Sequence, residues 1–241
     1  MKTLSSKVAL ITGGTKGIGF GIAQSLLEEG INVAITGRDL TTAQDTAKEL
    51  NAGLNSKAKA IGLQADVRNF ESQKKAVESI MAQFGQLDIV IANAGLGHFA
   101  SIEDLTPAQW QETIDTNLTG AFYTIKASVD ALKQSKGYYI TISSLAGANF
   151  FAKGSAYNAS KFGLTGFTQA VMLDLRHHGI KVSTIMPGSV STYFNGNEPD
   201  HSDAWKIQIE DIGELVIDLL KMNPRTLPSK IEVRPSMPPS K

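Results

Sequence analysis

Residues 8–23, VALITGGTKGIGFGIA, join an apolar run to a helical pattern through a loop rich in glycine. The run VALIT has the β-branched and apolar letters of a buried strand. Glycine lets a backbone approach a ligand without a Cβ in the way, and the helix beyond presents free N–H groups and a positive dipole end. A plain tight turn would also use such glycines, but this strand–loop–helix order favours a site for a diphosphate group. The candidate residues of that site are Gly13, Thr15, Lys16, Gly17, Ile18 and Gly19.

The rest of the chain alternates short apolar runs with longer helical patterns. We expect strands over residues 7–12, 31–36, 59–64, 87–92, 138–143, 181–187 and 230–235. Helical patterns cover residues 18–29, 42–51, 73–84, 118–134, 155–177 and 209–221, and TPAQ at 106–109 has the capping letters of a further helix start. Strands that are apolar throughout belong to a sheet covered on both faces. The sequence therefore predicts an α/β fold, a Rossmann-type doubly wound parallel β-sheet of about seven strands flanked by helices on both faces.

Nothing in the sequence divides the chain into parts. No linker, repeat or charge block interrupts the alternation, so we expect a single domain over residues 1–241. Residues 192–204 are polar and turn-rich and have no periodicity, which predicts a surface loop.

The composition excludes several classes of protein. The chain has 23 Lys and Arg against 23 Asp and Glu, and a zero net charge offers no footprint for nucleic acid or an anionic membrane. The absence of cysteine rules out disulfides and thiolate metal clusters, and the four histidines form no ligand set for a metal. The apolar run at the N-terminus is too short for a signal peptide or a membrane span. We therefore expect a cytoplasmic protein without metal, nucleic acid or membrane partners.

The end of the second strand indicates which dinucleotide the site would take. In dinucleotide-binding folds the adenosine ribose arrives at this point, where an acidic residue binds its 2′-hydroxyl. Here Thr36, Gly37 and Arg38 supply no acid but a guanidinium, which suits a 2′-phosphate. Lys16 has the reach for the same phosphate, whereas Asp39 offers the alternative of a simple surface pair with Arg38. These residues favour NADP(H) over NAD(H).

The stretch SAYNASK, residues 155–161, places Tyr157 and Lys161 one helical turn apart on the same face. A phenol titrates near ~10, and a nearby ammonium and a helix N-terminus both lower that pKa. Most such pairs are exposed and inert. Here, however, the ends of three further strands deliver small or polar residues to the same edge of the sheet, where open α/β folds bind ligands. These are Asn93, Ala94 and Gly95, Ser143 and Ser144, and Pro187, Gly188 and Thr192.

Four motifs in this order, TGGTKGIG, NAG, the serine pair followed by YNASK, and PGSVST, resemble the short-chain dehydrogenase/reductase family in its compact single-domain branch. The resemblance covers residues 7–235. It implies that Tyr157 is the general acid and base, that Lys161 holds the nicotinamide ribose and lowers the pKa of Tyr157, and that Ser144 binds the substrate oxygen. Asn117, in DTNLTGAF, matches an asparagine that bends its helix and holds a water next to the lysine.

The resemblance also assigns the remaining cofactor contacts. Asp66 and Val67 match the adenine contacts, although a helix cap is the alternative role for Asp66. The segment along the nicotinamide carboxamide comprises Pro187, Gly188, Val190 and Thr192, and the NAG motif supplies Asn93, Ala94 and Gly95. The loop near residues 192–204 corresponds to the family's substrate loop and is shorter than in many relatives. Residues that either line the pocket or merely pack are His98, Phe99, Phe150, Phe151, Tyr193 and Phe194.

These features predict an NADP(H)-dependent oxidoreductase that reduces a ketone or aldehyde to an alcohol. Two alternatives are a 3-oxoacyl-[acyl-carrier-protein] reductase and a reductase of the sepiapterin type, and a third is an NADPH-binding regulatory protein without turnover. The resemblance further implies a homotetramer or homodimer, assembled through the long helices on either side of the fifth strand.

Overall fold

A seven-stranded parallel sheet forms the centre of the protein in a computed structural model, which describes residues 4–52, 54 and 56–238. Its strands are β1 (Val8–Thr12), β2 (Asn32–Gly37), β3 (Ala60–Gln64), β4 (Ile89–Ala92), β5 (Tyr138–Ile142), β6 (Lys181–Pro187) and β7 (Lys230–Val233). They lie in the order β3-β2-β1-β4-β5-β6-β7, and every neighbouring pair is parallel. This arrangement confirms the predicted fold class.

Helices cover both faces because the central strands send apolar side chains to both sides. The helices are α1 (Gly17–Glu28), α2 (Leu40–Ala52), α3 (Phe70–Phe84), α4 (Pro107–Ile114), α5 (Gly120–Ser135), α6 (Ser155–Leu175) and α7 (Ile209–Lys221). In β1, Ala9 and Ile11 pack with the side of α1, α2 and α7, whereas Val8 and Leu10 pack with the side of α3, α5 and α6. Complete burial of a single isoleucine or leucine side chain stabilises a fold by about 1.5–3 kcal/mol. The strand pattern that predicts a two-sided sheet is therefore also the main source of its stability.

The two helices predicted here are present as α4 and α5, but they are joined in one helical segment from Pro107 to Ser135, a continuity that the sequence did not indicate. The capping box at its start is present, since the Thr106 hydroxyl accepts from the Gln109 N–H and the Gln109 side chain accepts from the Thr106 N–H. A π-helical turn, Asp115–Thr119, joins α4 to α5, and the Gly120 N–H bonds to the Asp115 carbonyl. Because a π turn inserts one extra residue without leaving helical backbone angles, it shifts the apolar periodicity and looks like a break in the sequence.

The strand order reverses beside β1, whose two neighbours are β2 and β4. At such a reversal the crossover helices diverge to opposite faces and leave a crevice at the carboxyl ends of the strands. Beyond β6, the predicted loop near residues 192–204 contains only two short 3₁₀ turns, Phe194–Gly196 and His201–Asp203. Within the described part of the chain, the helices fall short of the length and apolar character that crossing a membrane requires.

Candidate active site

A cleft of about 720 Å³ lies over the carboxyl edge of the sheet. It gathers all but two of the predicted site residues. Those that line it are Gly13, Thr15, Lys16, Gly17, Ile18, Arg38, Asp66, Val67, Asn93, Ala94, Gly95, Ser144, Tyr157, Lys161, Pro187, Gly188, Val190 and Thr192. The two exceptions, Gly19 and Asn117, lie behind its wall.

The glycine loop after β1 is held against the end of β4 by hydrogen bonds. The Asn93 side-chain amide donates to the carbonyls of Thr12 and Gly13, both at 2.9 Å, and the Thr12 hydroxyl accepts from the N–H groups of Asn93 and Ala94. Gly13 has a φ of 63°, and a Cβ there would lie 2.9 Å from the Ala94 Cα. At Gly19 a Cβ would lie 2.5 Å from the Asn93 amide nitrogen. The first glycine thus shapes the cleft wall, whereas Gly19 permits the close approach of α1.

Arg38 lies at the end of β2 with an exposed guanidinium that donates no hydrogen bond to any residue in the described part of the chain. The alternative pairing with Asp39 is not present, because the Asp39 carboxylate accepts from the N–H and hydroxyl of Thr42. These bonds lower the pKa of Asp39. Gly37, where an acid would bind a ribose hydroxyl, has little room for one, since a Cβ there would lie 3.0 Å from the Thr15 methyl.

Asp66 points into the cleft but is bonded to a neighbour that our sequence analysis missed. The Arg68 guanidinium donates to the Asp66 carboxylate at 2.7 and 3.0 Å, and these bonds lower the pKa of Asp66. The alternative role of Asp66 as a helix cap is wrong, since the side chain that caps α3 is that of Asn69. In the sequence, the one feature that could have indicated Arg68 is its position two residues after Asp66, the acidic residue that follows β3.

Arg68 also connects this end of the cleft to the loop after β4. Its guanidinium donates to Glu112 of α4 at 3.4 Å, and His98 Nε2 lies 2.9 Å from the other oxygen of the same carboxylate. The hydrogen bond from His98 lowers the pKa of Glu112. His98, for which the sequence left pocket lining or packing open, thus anchors its loop to α4.

Tyr157, Lys161 and Ser144 meet at the opposite end of the cleft. Tyr157 is in the first turn of α6, and the Lys161 Nζ lies 5.7 Å from the centre of its ring. The Lys161 side chain is only 4% exposed, and its Nζ donates to the Ile142 carbonyl at 2.9 Å. Both Ser143 and Ser144 line the cleft. The Ser144 hydroxyl accepts from the Ala146 N–H and is hydrogen-bonded to the Tyr157 phenol, whereas the Ser143 hydroxyl is bonded to Thr165 and to the Lys161 carbonyl.

The pKa of Tyr157 is shifted in the direction opposite to our expectation. Burial raises this pKa from the ordinary value of a phenol, and the hydrogen bond with the Ser144 hydroxyl only partly opposes the effect. Burial also lowers the pKa of Lys161, to about 8. In the described part of the chain, the Lys161 ammonium donates to the Ile142 carbonyl and not to the phenol, and desolvation outweighs charge attraction at Tyr157.

Asn117 is buried in the π turn, behind Lys161. Its side-chain oxygen accepts from the Leu96 N–H, and its nitrogen donates to the Leu96 carbonyl and to the Ser160 hydroxyl, all within 3.0 Å. The side chain therefore clamps the loop after β4 to α6.

Two phenylalanine rings contact Tyr157, and a third packs on one of them. The ring centres of Phe99 and Phe194 lie 5.3 and 5.7 Å from that of Tyr157, and Phe151 lies 5.9 Å from Phe99. Phe150, in contrast, is 88% exposed. The remaining aromatic candidate, Tyr193, places its ring 5.9 Å from the Lys16 ammonium. Sequence pattern alone could not separate these residues, because they lie on irregular segments.

Comparisons with known proteins agree with this geometry. The family model described as short chain dehydrogenase matches residues 7–203. A trans-4-hydroxycyclohexanecarboxylate dehydrogenase of Sinomonas cyclohexanicum is 38% identical over 192 residues, 78% of this chain and 74% of that protein. Among solved structures, an alcohol dehydrogenase from the archaeon Thermococcus sibiricus complexed with 5-hydroxy-NADP has a TM-score of 0.89 at 29% identity, covering 98% of this chain and 99% of that one. A 3-ketoacyl-ACP reductase from Sinorhizobium meliloti has a TM-score of 0.85 at 33% identity, covering 94% and 97%.

Proposed function

The chain belongs to the short-chain dehydrogenase family, and we propose that it is an oxidoreductase that uses NADPH to reduce a ketone or aldehyde to an alcohol. The observation that carries this proposal is the convergence of Ser144, Tyr157 and Lys161 at one end of a cleft whose other end is a glycine loop. A proton donor and a dinucleotide cradle in one crevice are the two parts that hydride transfer to a carbonyl requires.

Tyr157 would hold the transferable proton on its phenol oxygen. Burial raises the pKa of this phenol, which favours the protonated form that a reduction needs. Ser144 would donate a hydrogen bond to the same substrate oxygen and orient it toward the phenol. Lys161 would then stabilise the phenolate left after proton transfer, since its Nζ lies 5.7 Å from the centre of the ring.

The cleft also fits the cofactor. When bound, NADPH supplies the hydride, and the residues of the chain supply the proton and the binding contacts. The glycine loop offers a diphosphate cradle without Cβ atoms, and the unpaired guanidinium of Arg38 suits a 2′-phosphate. The NADP analogue bound to the Thermococcus sibiricus relative supports the same coenzyme.

Substitution of Tyr157 by Phe tests the proposal. We expect Tyr157→Phe to lower kcat by about 10²- to 10⁴-fold, the usual contribution of a general acid, with an unchanged Kd for NADPH. Oxidation of NADPH by a panel of ketones and aldehydes gives the rate, and titration of NADPH fluorescence gives the Kd. Tyr123→Phe, whose ring packs on Phe70 and Phe122 outside the cleft, is the matched control. Unchanged turnover in Tyr157→Phe would remove this residue from the mechanism.

A second candidate is reduction of a 3-oxoacyl group on an acyl carrier protein, which the Sinorhizobium meliloti relative supports by its name. The same residues would perform the same chemistry, so only the substrate separates the two. A rate with an acetoacetyl group on the carrier protein that far exceeds the rate with the free thioester would favour this second candidate.

For assembly we propose a homodimer or homotetramer through α5 and α6. Three apolar side chains on these helices, Phe122, Phe162 and Leu173, are each more than two-fifths exposed. Surface of this kind is typical of an interface. Light scattering after size-exclusion chromatography measures the number of subunits directly.

A further inference from the structure

The phenol of Tyr157 lies inside a cluster of aromatic rings that the proposed chemistry does not use. Phe99 meets Tyr157 edge-on at 62°, Phe194 is tilted to it at 52°, and Phe99 and Phe194 meet each other at 70° with 6.2 Å between centres. Phe151 extends the cluster from Phe99. All these distances fall in the range of favourable aromatic pairs, about 4.5–7 Å between centres.

The rings come from three separate segments, so their meeting is a property of the fold. Phe99 follows β4, Phe151 precedes α6, and Phe194 is in the 3₁₀ turn Phe194–Gly196 beyond β6. The rings are not fully packed away, since Phe99 is 37% and Phe151 48% exposed. Partly exposed aromatic surface beside a reactive group is typical of a surface that a ligand covers.

The cations that line the cleft are either paired with an acid or are the residues that would hold the cofactor. In the described part of the chain there are five of them. Arg68 pairs with Asp66 at 2.7 Å, and Lys206 pairs with Asp203 at 2.5 Å. Arg38 and Lys16 would hold the 2′-phosphate, and Lys161, which is only 4% exposed, would hold the nicotinamide ribose. A carboxylate on the substrate would therefore find none of these five cations free to bind it.

We propose that the substrate is an uncharged carbonyl compound with an aromatic ring attached to, or one atom away from, the carbonyl carbon. The inference rests on the proposed function, because the phenol fixes the position of the carbonyl. Tyr157 is itself a member of the cluster, so a carbonyl at its hydroxyl places its first substituent among the phenylalanine rings. A planar ring gains edge-to-face contacts there that a saturated ring of the same size does not.

Three methyl ketones test this inference without turnover: acetophenone, cyclohexyl methyl ketone and 4-acetylbenzoate. The protein is saturated with NADP⁺, so that the coenzyme and the ketone are both oxidised and no hydride can be transferred. Ligand-observed NMR then measures the Kd of each ketone. We expect acetophenone to bind more tightly than the other two. Phe99→Leu and Phe194→Leu should each reduce its advantage over cyclohexyl methyl ketone by roughly 3- to 10-fold, the value of one aromatic pair. Phe70→Leu, which breaks a similar ring pair with Tyr123 outside the cleft, should change nothing.

The outcomes separate this inference from the proposed function. Equal Kd values for the flat and saturated ketones, or an advantage that survives both leucine variants, overturn the aromatic substrate class even if NADPH is oxidised. Binding of 4-acetylbenzoate as tight as that of acetophenone overturns the requirement for an uncharged substrate. Conversely, ring-dependent binding without NADPH oxidation supports the aromatic site and removes the reductase. Phe194 is on a surface turn, so its variant keeps the test valid if Phe99→Leu does not fold.

Discussion

Lys161 combines a positive charge with almost no access to water. Within the described part of the chain, its ammonium donates a hydrogen bond only to the Ile142 carbonyl, and burial lowers its pKa to about 8. A lysine in this position is still protonated at neutral pH, but with a margin of only about one pH unit. The Lys161 ammonium therefore titrates close to the neutral pH range in which enzymes commonly work.

We expect the affinity for NADPH to weaken above pH 8. Loss of the Lys161 proton removes the charge that would hold the ribose, so the Kd should rise about tenfold per pH unit until the pKa of the bound state is reached. Fluorescence titration between pH 6.5 and 10 measures this. The Lys161→Met variant should bind more weakly at pH 7 and have a flat profile. Parallel profiles for the two proteins would contradict the assignment.

Arg38 gives a second prediction at this scale, on coenzyme choice. An unpaired guanidinium that bonds to a 2′-phosphate contributes about 1.5–3 kcal/mol, so Arg38→Gln should weaken NADPH binding roughly 10- to 150-fold. Binding of NADH, which has no 2′-phosphate, should hardly change. Arg234→Gln is the control, since the guanidinium of Arg234 donates to Glu232 at the surface and to no other residue from 4 to 238 that the structure describes. Equal losses for both coenzymes would show that Arg38 does not read the phosphate.

The sequence predicts which residues line the cleft better than it predicts their electrostatic state. Tyr157, Lys161 and Ser144 follow from their spacing and from the strand ends, because parallel strands bring their carboxyl ends to one edge. The sign of the Tyr157 pKa shift does not follow, because it depends on how deeply distant segments cover the phenol. Phe99 and Phe194 supply that cover from irregular loops, which have no periodicity to analyse.

At the scale of elements, the π turn Asp115–Thr119 determines the position of Asn117. The extra residue in that turn directs the Asn117 side chain toward both the loop after β4 and α6, where its amide bonds to Leu96 and Ser160. One side chain thereby connects three elements of the cleft. A regular α-helical turn would rotate the residue and break this connection.

We expect Asn117→Leu to destabilise the protein by about 2–4 kcal/mol, because the N–H and carbonyl of Leu96 and the buried hydroxyl of Ser160 all lose a partner. For a chain of this size, that corresponds to a fall in Tm of roughly 4–16 °C. Asn51→Leu is a matched control: Asn51 bonds to the N–H and carbonyl of Ala60 in the same manner, but Asn51 is exposed, whereas Asn117 is 1% exposed. Thermal unfolding followed by circular dichroism should show a clearly smaller loss for Asn51→Leu. Similar losses would mean that burial of the asparagine side chain is not decisive.

Which elements form is predictable here because local and global signals agree. Each strand is an apolar run bounded by polar or glycine residues, and the capping box at Thr106 specifies a helix start by its own hydrogen bonds. The continuity of α4 and α5 could not be predicted, because it depends on a turn whose periodicity matches neither a regular helix nor a loop. Local signals thus fix the existence of an element more firmly than its end.

At the scale of the whole molecule, the parallel sheet creates the cleft, and the same packing buries the ammonium of Lys161 beneath the cleft. All parallel strands end at the same edge, and α6 packs Lys161 against the end of β5. A buried ammonium opposes folding, since the unfolded chain would solvate it freely. Function and stability therefore make opposite demands on this one side chain.

The dependence of stability on pH should reveal this conflict. The pKa of Lys161 is about 8 in the folded protein against a usual 10.5. Between these values the unfolded chain binds a proton that the folded protein does not, so the contribution of Lys161 to stability is full above pH 10.5, falls as the pH falls to 8, and is constant below. At pH 7 burial of the Lys161 ammonium destabilises the fold by about 3 kcal/mol, offset by about 1 kcal/mol from the hydrogen bond to Ile142.

We expect Lys161→Met to be more stable than the wild type by about 2 kcal/mol at pH 7, a rise in Tm of roughly 4–8 °C. This advantage should disappear above pH 10. Calorimetry of both proteins at each pH cancels the contributions of all other groups. A Tm difference that is negative at pH 7, or that does not change with pH, would show that the Lys161 ammonium is not buried at a cost.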